Sequence, residues 1–115
     1  MTNEGNLESG KKVQLAELAQ YSKGSVVSRT LAKGKGGTLT LFAFDGGEGL
    51  SEHAATFDAW VLALEGSAEV TIDGNSTKIT AGELVLMPAD IPHAIATTER
   101  FKMLLVMFKG RDSLA

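Results

Sequence analysis

From Gly24 onward the chain alternates short apolar and polar runs, broken at regular intervals by glycine-rich punctuation. "SVVSRTLA" predicts a strand and "GKGG" (34–37) a turn; "TLTLFAF" predicts a second strand and "DGGEG" (45–49) another turn. "AWVLALEG", "SAEVTIDGN", "STKIT", "ELVLM", "HAIAT" and "RFKMLLVMF" continue the series, with Asp73-Gly74 supplying a hairpin turn. Seven or more such strands with turn signals between them predict an all-β sandwich or barrel. Ahead of them, "VQLAELAQY" (13–21) has good helix formers but is short, which fits one helical turn or an extended arm. Residues 1–12 are polar and read as a loose tail. The expected organisation is an N-terminal tail or arm over 1–23, one barrel domain over 24–110 and a C-terminal tail over 111–115.

Two of the strands are apolar on both faces. In "TLTLFAF", Leu39, Leu41 and Ala43 oppose Phe42 and Phe44; in "FKMLLVMF", Phe101, Met103, Leu105 and Met107 oppose Leu104, Val106 and Phe108. A strand with one wet face would carry polar residues at every second position. Something therefore covers the second face, and a second copy is the expected cover. Phe42, Phe44, Leu104 and Phe108 are the expected contributors to a homodimer, with the segment Val13–Leu18 laid across the partner.

A length of 115 residues allows one domain with a core of its own. The absence of cysteine removes disulfides, thiolate metal sites and a cysteine nucleophile. Eleven basic residues against fourteen acidic ones give a net charge of −3, which argues against nucleic acid as a partner. No apolar run reaches membrane-spanning length, and "MTNEGNLESGKK" has no signal-peptide core. The expectation is a soluble cytoplasmic domain with no nucleic-acid or membrane partner. The glycine-rich runs open no helix, so they do not predict a phosphate loop, and no "GxSxG" elbow accompanies Ser51. Glu83 reads as a rim charge, and Met87, Met103 and Met107 as core packing.

The two histidines are the remaining chemistry: His53 in "SEHAATFDAWVLALEG" and His93 in "MPADIPHAIA". Around them Gly47, Gly66, Gly82 and Pro88 fall at the spacings of a two-motif pattern, with the hairpin "EVTIDGNSTKITAGE" between the motifs. In this the chain resembles the cupin family, also called RmlC-like jelly rolls, over roughly residues 38–108. The resemblance implies a jelly-roll β-barrel of two antiparallel sheets, with His53 and His93 converging in its mouth. Metal-binding members typically use two histidines and a glutamate from the first motif and one histidine from the second. Here Ala55 and Ala59 stand at two of those four positions, Asp90 replaces the second-motif glycine, and Thr97 replaces its final asparagine. Asp90 is a mild change, because aspartate tolerates the left-handed conformation.

A catalytic metal needs about three protein ligands. His53 and His93 supply two, and Asp58 is the candidate third, provided a one-residue bulge turns it inward; otherwise strand alternation sends it away. The implied cofactor is a divalent metal (zinc, iron, manganese or nickel), weakly held. The alternative is a metal-free pocket in which the histidines are lining or acid–base groups, with the volume beside Ala55 and Ala59 filled by Trp60 or methionines. Two function classes follow: an enzyme such as a cupin oxygenase, isomerase or decarboxylase, and a binding or sensing module for a small-molecule ligand.

Overall fold

The structure, a computed structural model, describes residues 7–109; the expected C-terminal tail over 111–115 and residues 1–6 of the N-terminal tail lie outside the described residues. Nine strands are present among them: β1 Val26–Gly34, β2 Gly37–Phe44, β3 Gly49–His53, β4 Asp58–Glu65, β5 Ser67–Ile72, β6 Asn75–Thr80, β7 Leu84–Met87, β8 His93–Ala96 and β9 Phe101–Phe108. They form two antiparallel sheets, one ordered β1-β2-β9-β4-β7 and the other β3-β8-β5-β6. The chain moves between the sheets repeatedly, which makes this a jelly roll. Among the described residues no helix is long and apolar enough to cross a membrane.

Period-two patterning builds the core. Phe42 and Phe44 of β2, Ala59, Val61 and Ala63 of β4, and Phe101, Met103, Leu105 and Met107 of β9 all face the second sheet, where Val70, Ile79 and Ile95 meet them. Phe44, Val61, Phe101 and Met103 are fully buried. Each such side chain contributes about 1.5–3 kcal/mol by leaving water. Phe42 and Phe44 thus line the space between the sheets and are not surface contributors to a dimer.

The opposite face of β1 and β2 has its own cover. Leu31, Leu41 and Ala43 pack under Leu7, Leu15, Leu18, Ala19 and Tyr21, so the N-terminal segment lies on its own sheet. It takes the form of a single 3₁₀ turn, Leu15–Leu18. Lys102, itself buried, donates from Nζ to the carbonyl of Ala16 at 2.5 Å, and Arg29 donates to that of Leu18 at 3.2 Å. Tyr21 closes the strap by donating to Glu65 at 2.8 Å. Burial and the neighbouring Glu65 carboxylate hold the Tyr21 phenol far above its ordinary range. The expected arm across a partner is corrected: within one chain, Leu15 and Leu18 already find apolar surface on their own sheet.

Turn chemistry sets the strand joints. Asp73 and Gly74 both have positive φ, 49° and 80°, the pairing a two-residue hairpin needs. Asp90 adopts φ 65° and donates its N–H to the Ala55 carbonyl at 2.7 Å, which ties the loop before β8 to the loop after β3. Glu83 is exposed but more than a rim charge: it accepts from the Thr80 amide at 2.8 Å and from its hydroxyl at 3.0 Å, fixing the β6–β7 turn.

Candidate functional site

β3 and β8 are neighbours in the smaller sheet, and His53 is the direct cross-strand partner of His93. Directly opposed side chains on such a pair project from the same face. The rings meet edge to face at 77° with centroids 4.5 Å apart, and the two Nε2 atoms stand 3.2 Å apart. His93 is buried, while His53 is exposed and forms the outer lip.

The other ring nitrogens decide the protonation pattern. Nδ1 of His53 lies 2.8 Å from the Ser51 carbonyl, and Nδ1 of His93 lies 3.2 Å from that of Ile91. A carbonyl only accepts, so each Nδ1 carries the proton and donates it. In the neutral pair both Nε2 atoms then present lone pairs to each other. That contact is repulsive unless a cation, either a proton or a metal ion, sits between them. Burial, and secondarily the neighbouring His53, push the His93 imidazole below its ordinary range.

Behind the pair lies a cavity of about 40 Å³, lined by Leu50, Ala55, Ala59, Met87, Ile95, Met103, Leu105 and Met107 besides the histidines. Such a volume holds about one or two water-sized groups. Methionine fills the room that the two alanines leave. Trp60 does not, because it follows Ala59 in β4 and alternation turns it to the other side of the sheet.

Asp58 is not brought to the pair. It opens β4 on the face opposite Ala59, is 5 % exposed, and accepts the Ala89 amide proton at 2.9 Å. The bulge that would turn it inward is absent: β4 and β9 pair in step from Asp58 to Ala63, with a shift only between Ala63 and Glu65. Glu52 flanks His53 and is exposed. Among the described residues no three histidine, aspartate or glutamate side chains gather closely enough to hold a metal ion.

The fit to a metal is therefore divided. Two nitrogens bound to one tetrahedral ion at about 2.0–2.1 Å stand roughly 3.3 Å apart, close to the observed 3.2 Å. The nitrogen and oxygen donors from side chains, however, stop at two nitrogens with no carboxylate. The residues fit weak two-nitrogen binding and do not fit a firmly held divalent cofactor. Sequence reasoning placed both histidines but missed β3 as a strand, and it treated the methionines only as packing. Their shared signal was Met103 and Met107 on one face of β9, with Met87 ending β7 just before Pro88.

The cupin domain family pattern matches residues 40–107. Among solved structures, the chain is similar to a conserved protein of unknown function from Streptococcus pyogenes, with 35 % identity, 94 % of this chain and 95 % of that one covered, and a TM-score of 0.87. A cupin superfamily protein from Desulfitobacterium hafniense shares 33 % identity, with 90 % and 95 % covered and a TM-score of 0.84. A cupin 2 conserved barrel domain protein from Leptotrichia buccalis shares 40 % identity over 83 % of this chain and 46 % of that one, with a TM-score of 0.80. No curated protein matches the chain.

Proposed function

The chain belongs to the cupin superfamily, and from that premise we propose that it binds a small molecule in the pocket behind His53 and His93, with the pair taking up a metal ion weakly at the mouth. The observation that carries this reading is the pair of Nε2 atoms facing each other at 3.2 Å while both Nδ1 protons are committed to carbonyls. A bound ion would offer a Lewis-acid site to an oxygen or nitrogen of the ligand. The chain itself supplies the rest: two fixed nitrogens, a wall that excludes water, and methionines flexible enough to make room. The ligand this favours is small and mainly apolar, with one polar head group directed at the histidines.

The metal-free reading is the alternative, and the burial of His93 beside apolar side chains favours it. There the Nε2 lone pairs accept a proton or hydrogen bond from the ligand's head group, and the pair serves as an acid–base group or as a recognition point in a sensing module.

Elemental analysis with titration calorimetry separates the two, using zinc, nickel, manganese and ferrous ions on the wild type, His53→Ala and His93→Ala. Weak one-to-one binding that disappears in both variants is expected. Binding that survives either substitution places the site elsewhere, and no binding in the wild type leaves the metal-free reading.

Self-association belongs to the same proposal. Its support is the outer face of β4, β7 and β9, where Trp60 pairs across to Leu86 and Val106, and Leu62 to Leu84 and Leu104. Leu84 and Phe108 on that sheet are 57 % and 40 % exposed.

A further inference from the structure

All the methionines among the described residues line one cavity. Met87, Met103 and Met107 share it with both histidines. Their placement follows the ladder: Ala59 pairs directly with Met87 on one side and with Met107 on the other. A cross-strand pair has its Cβ atoms only about 4.5–5.5 Å apart on one face. A position without a donor is thus flanked by two thioethers, and Met103 opposes Ala63 two same-face steps further along, beyond the Val61–Leu105 pair.

The chemistry of this lining is uniform. It holds two imidazole nitrogens and three uncharged thioether sulfurs, set among Leu50, Ala55, Ile95 and Leu105, with no carboxylate. A dication entering it would lose water and gain no neutralising charge, and the cost of desolvating an ion rises steeply with its charge. A monovalent ion meets a much smaller penalty. Imidazoles serve copper, zinc and iron alike, and the thioethers are the soft donors that tip such a set toward monovalent copper over zinc, manganese or ferrous ions. The nitrogen spacing agrees. At 3.2 Å the two Nε2 atoms stand too close for a linear two-coordinate ion, which would need about 4 Å with bonds of 2.0 Å, so further donors are required. The sulfurs in the same cavity are the available ones.

We propose that the cavity is a site for a soft monovalent cation, Cu(I), built from His53, His93 and the thioethers of Met87 and Met107, with Met103 at its floor. This rests on the reading that the histidine pair takes up a cation, and it narrows the kind of cation taken.

The test is anaerobic titration of the whole chain with Cu(I) against a chromophoric Cu(I) chelator, with Ag(I) as an air-stable surrogate and zinc as the hard comparison. Wild type, Met87→Leu, Met107→Leu, the double methionine variant and His93→Ala are compared. Leucine keeps the volume and apolar character, and unchanged circular dichroism and melting temperature confirm folding before any titration is interpreted. The expected result is one-to-one Cu(I) and Ag(I) binding, weakened at least about tenfold by the double methionine change, while weak zinc binding is unaffected. X-ray absorption at the copper edge should show sulfur as well as nitrogen scatterers. Cu(I) binding indifferent to the methionines, or zinc binding with no Cu(I) binding, overturns the proposal and leaves the two-nitrogen metal reading standing. No binding of any cation overturns both.

Discussion

His93 and Asp58 show how far one residue's surroundings decide its role. His93 is buried with its imidazole held below the ordinary range, first by desolvation and then by His53. A group that binds its proton more weakly when folded lets protonation favour the unfolded chain, so stability is retained where both states are neutral and lost where the unfolded chain takes up the proton. Its contribution is present in full above about pH 6.5, the unperturbed value, and is lost as the pH falls from there through the lowered folded value. Denaturant midpoints measured between pH 8 and 5 should decline on the acid side, and His93→Gln should flatten that decline. Asp58 is an anchor between β4 and the loop that follows β7. Asp58→Ala leaves the Ala89 amide without its acceptor and should cost about 1–3 kcal/mol in equilibrium unfolding. Metal and Cu(I) titrations of that variant should match the wild type, since its carboxylate lies on the other face of β4 from the cavity. Loss of metal binding at unchanged stability would instead make Asp58 a ligand. The sequence offered Asp58 as a third ligand because spacing alone cannot tell an inward bulge from an unbroken ladder.

At the scale of the elements, glycine marks where strands must turn or pass closely. Gly66, between β4 and β5, has φ 73°, and a Cβ there would lie 2.1 Å from the Arg100 carbonyl oxygen. Gly66→Ala must therefore displace the backbone leading into β9, and we expect a loss above about 2 kcal/mol. Gly74 in the β5–β6 hairpin has φ 80° with nothing within 4 Å of such a Cβ, so Gly74→Ala carries only the conformational cost of about 1–2 kcal/mol. Thermal melts of the two variants side by side check the order; a Gly74 variant less stable than the Gly66 variant would contradict it. These turns were readable in advance because glycine and aspartate carry their backbone preference locally. The strand β3 was not: "GLSEH" is short and largely exposed, and only its pairing with β8 makes it a strand.

At the scale of the whole molecule, the five-stranded sheet has two outer regions with different fates. The strap of residues 7–21 covers the β1–β2 side, and the β4–β7 side keeps Leu84 and Phe108 in the open. If that side seats a second copy, light scattering at micromolar concentration gives about twice 12.1 kDa, and Leu84→Glu returns it to one chain. A monomer in the wild type removes self-association from the proposal. The sequence by itself determined the class of fold, the turns and the two histidines as the candidate pair, because period-two patterning, glycine spacing and residue chemistry are local properties. It also marked the strands as covered on both faces. Only the tertiary structure decided what covers them, which way Asp58 faces, and that Met87, Met103 and Met107 meet the histidines in one cavity. Those outcomes depend on register between strands far apart in the chain, where a single-residue shift sends a side chain to the opposite face.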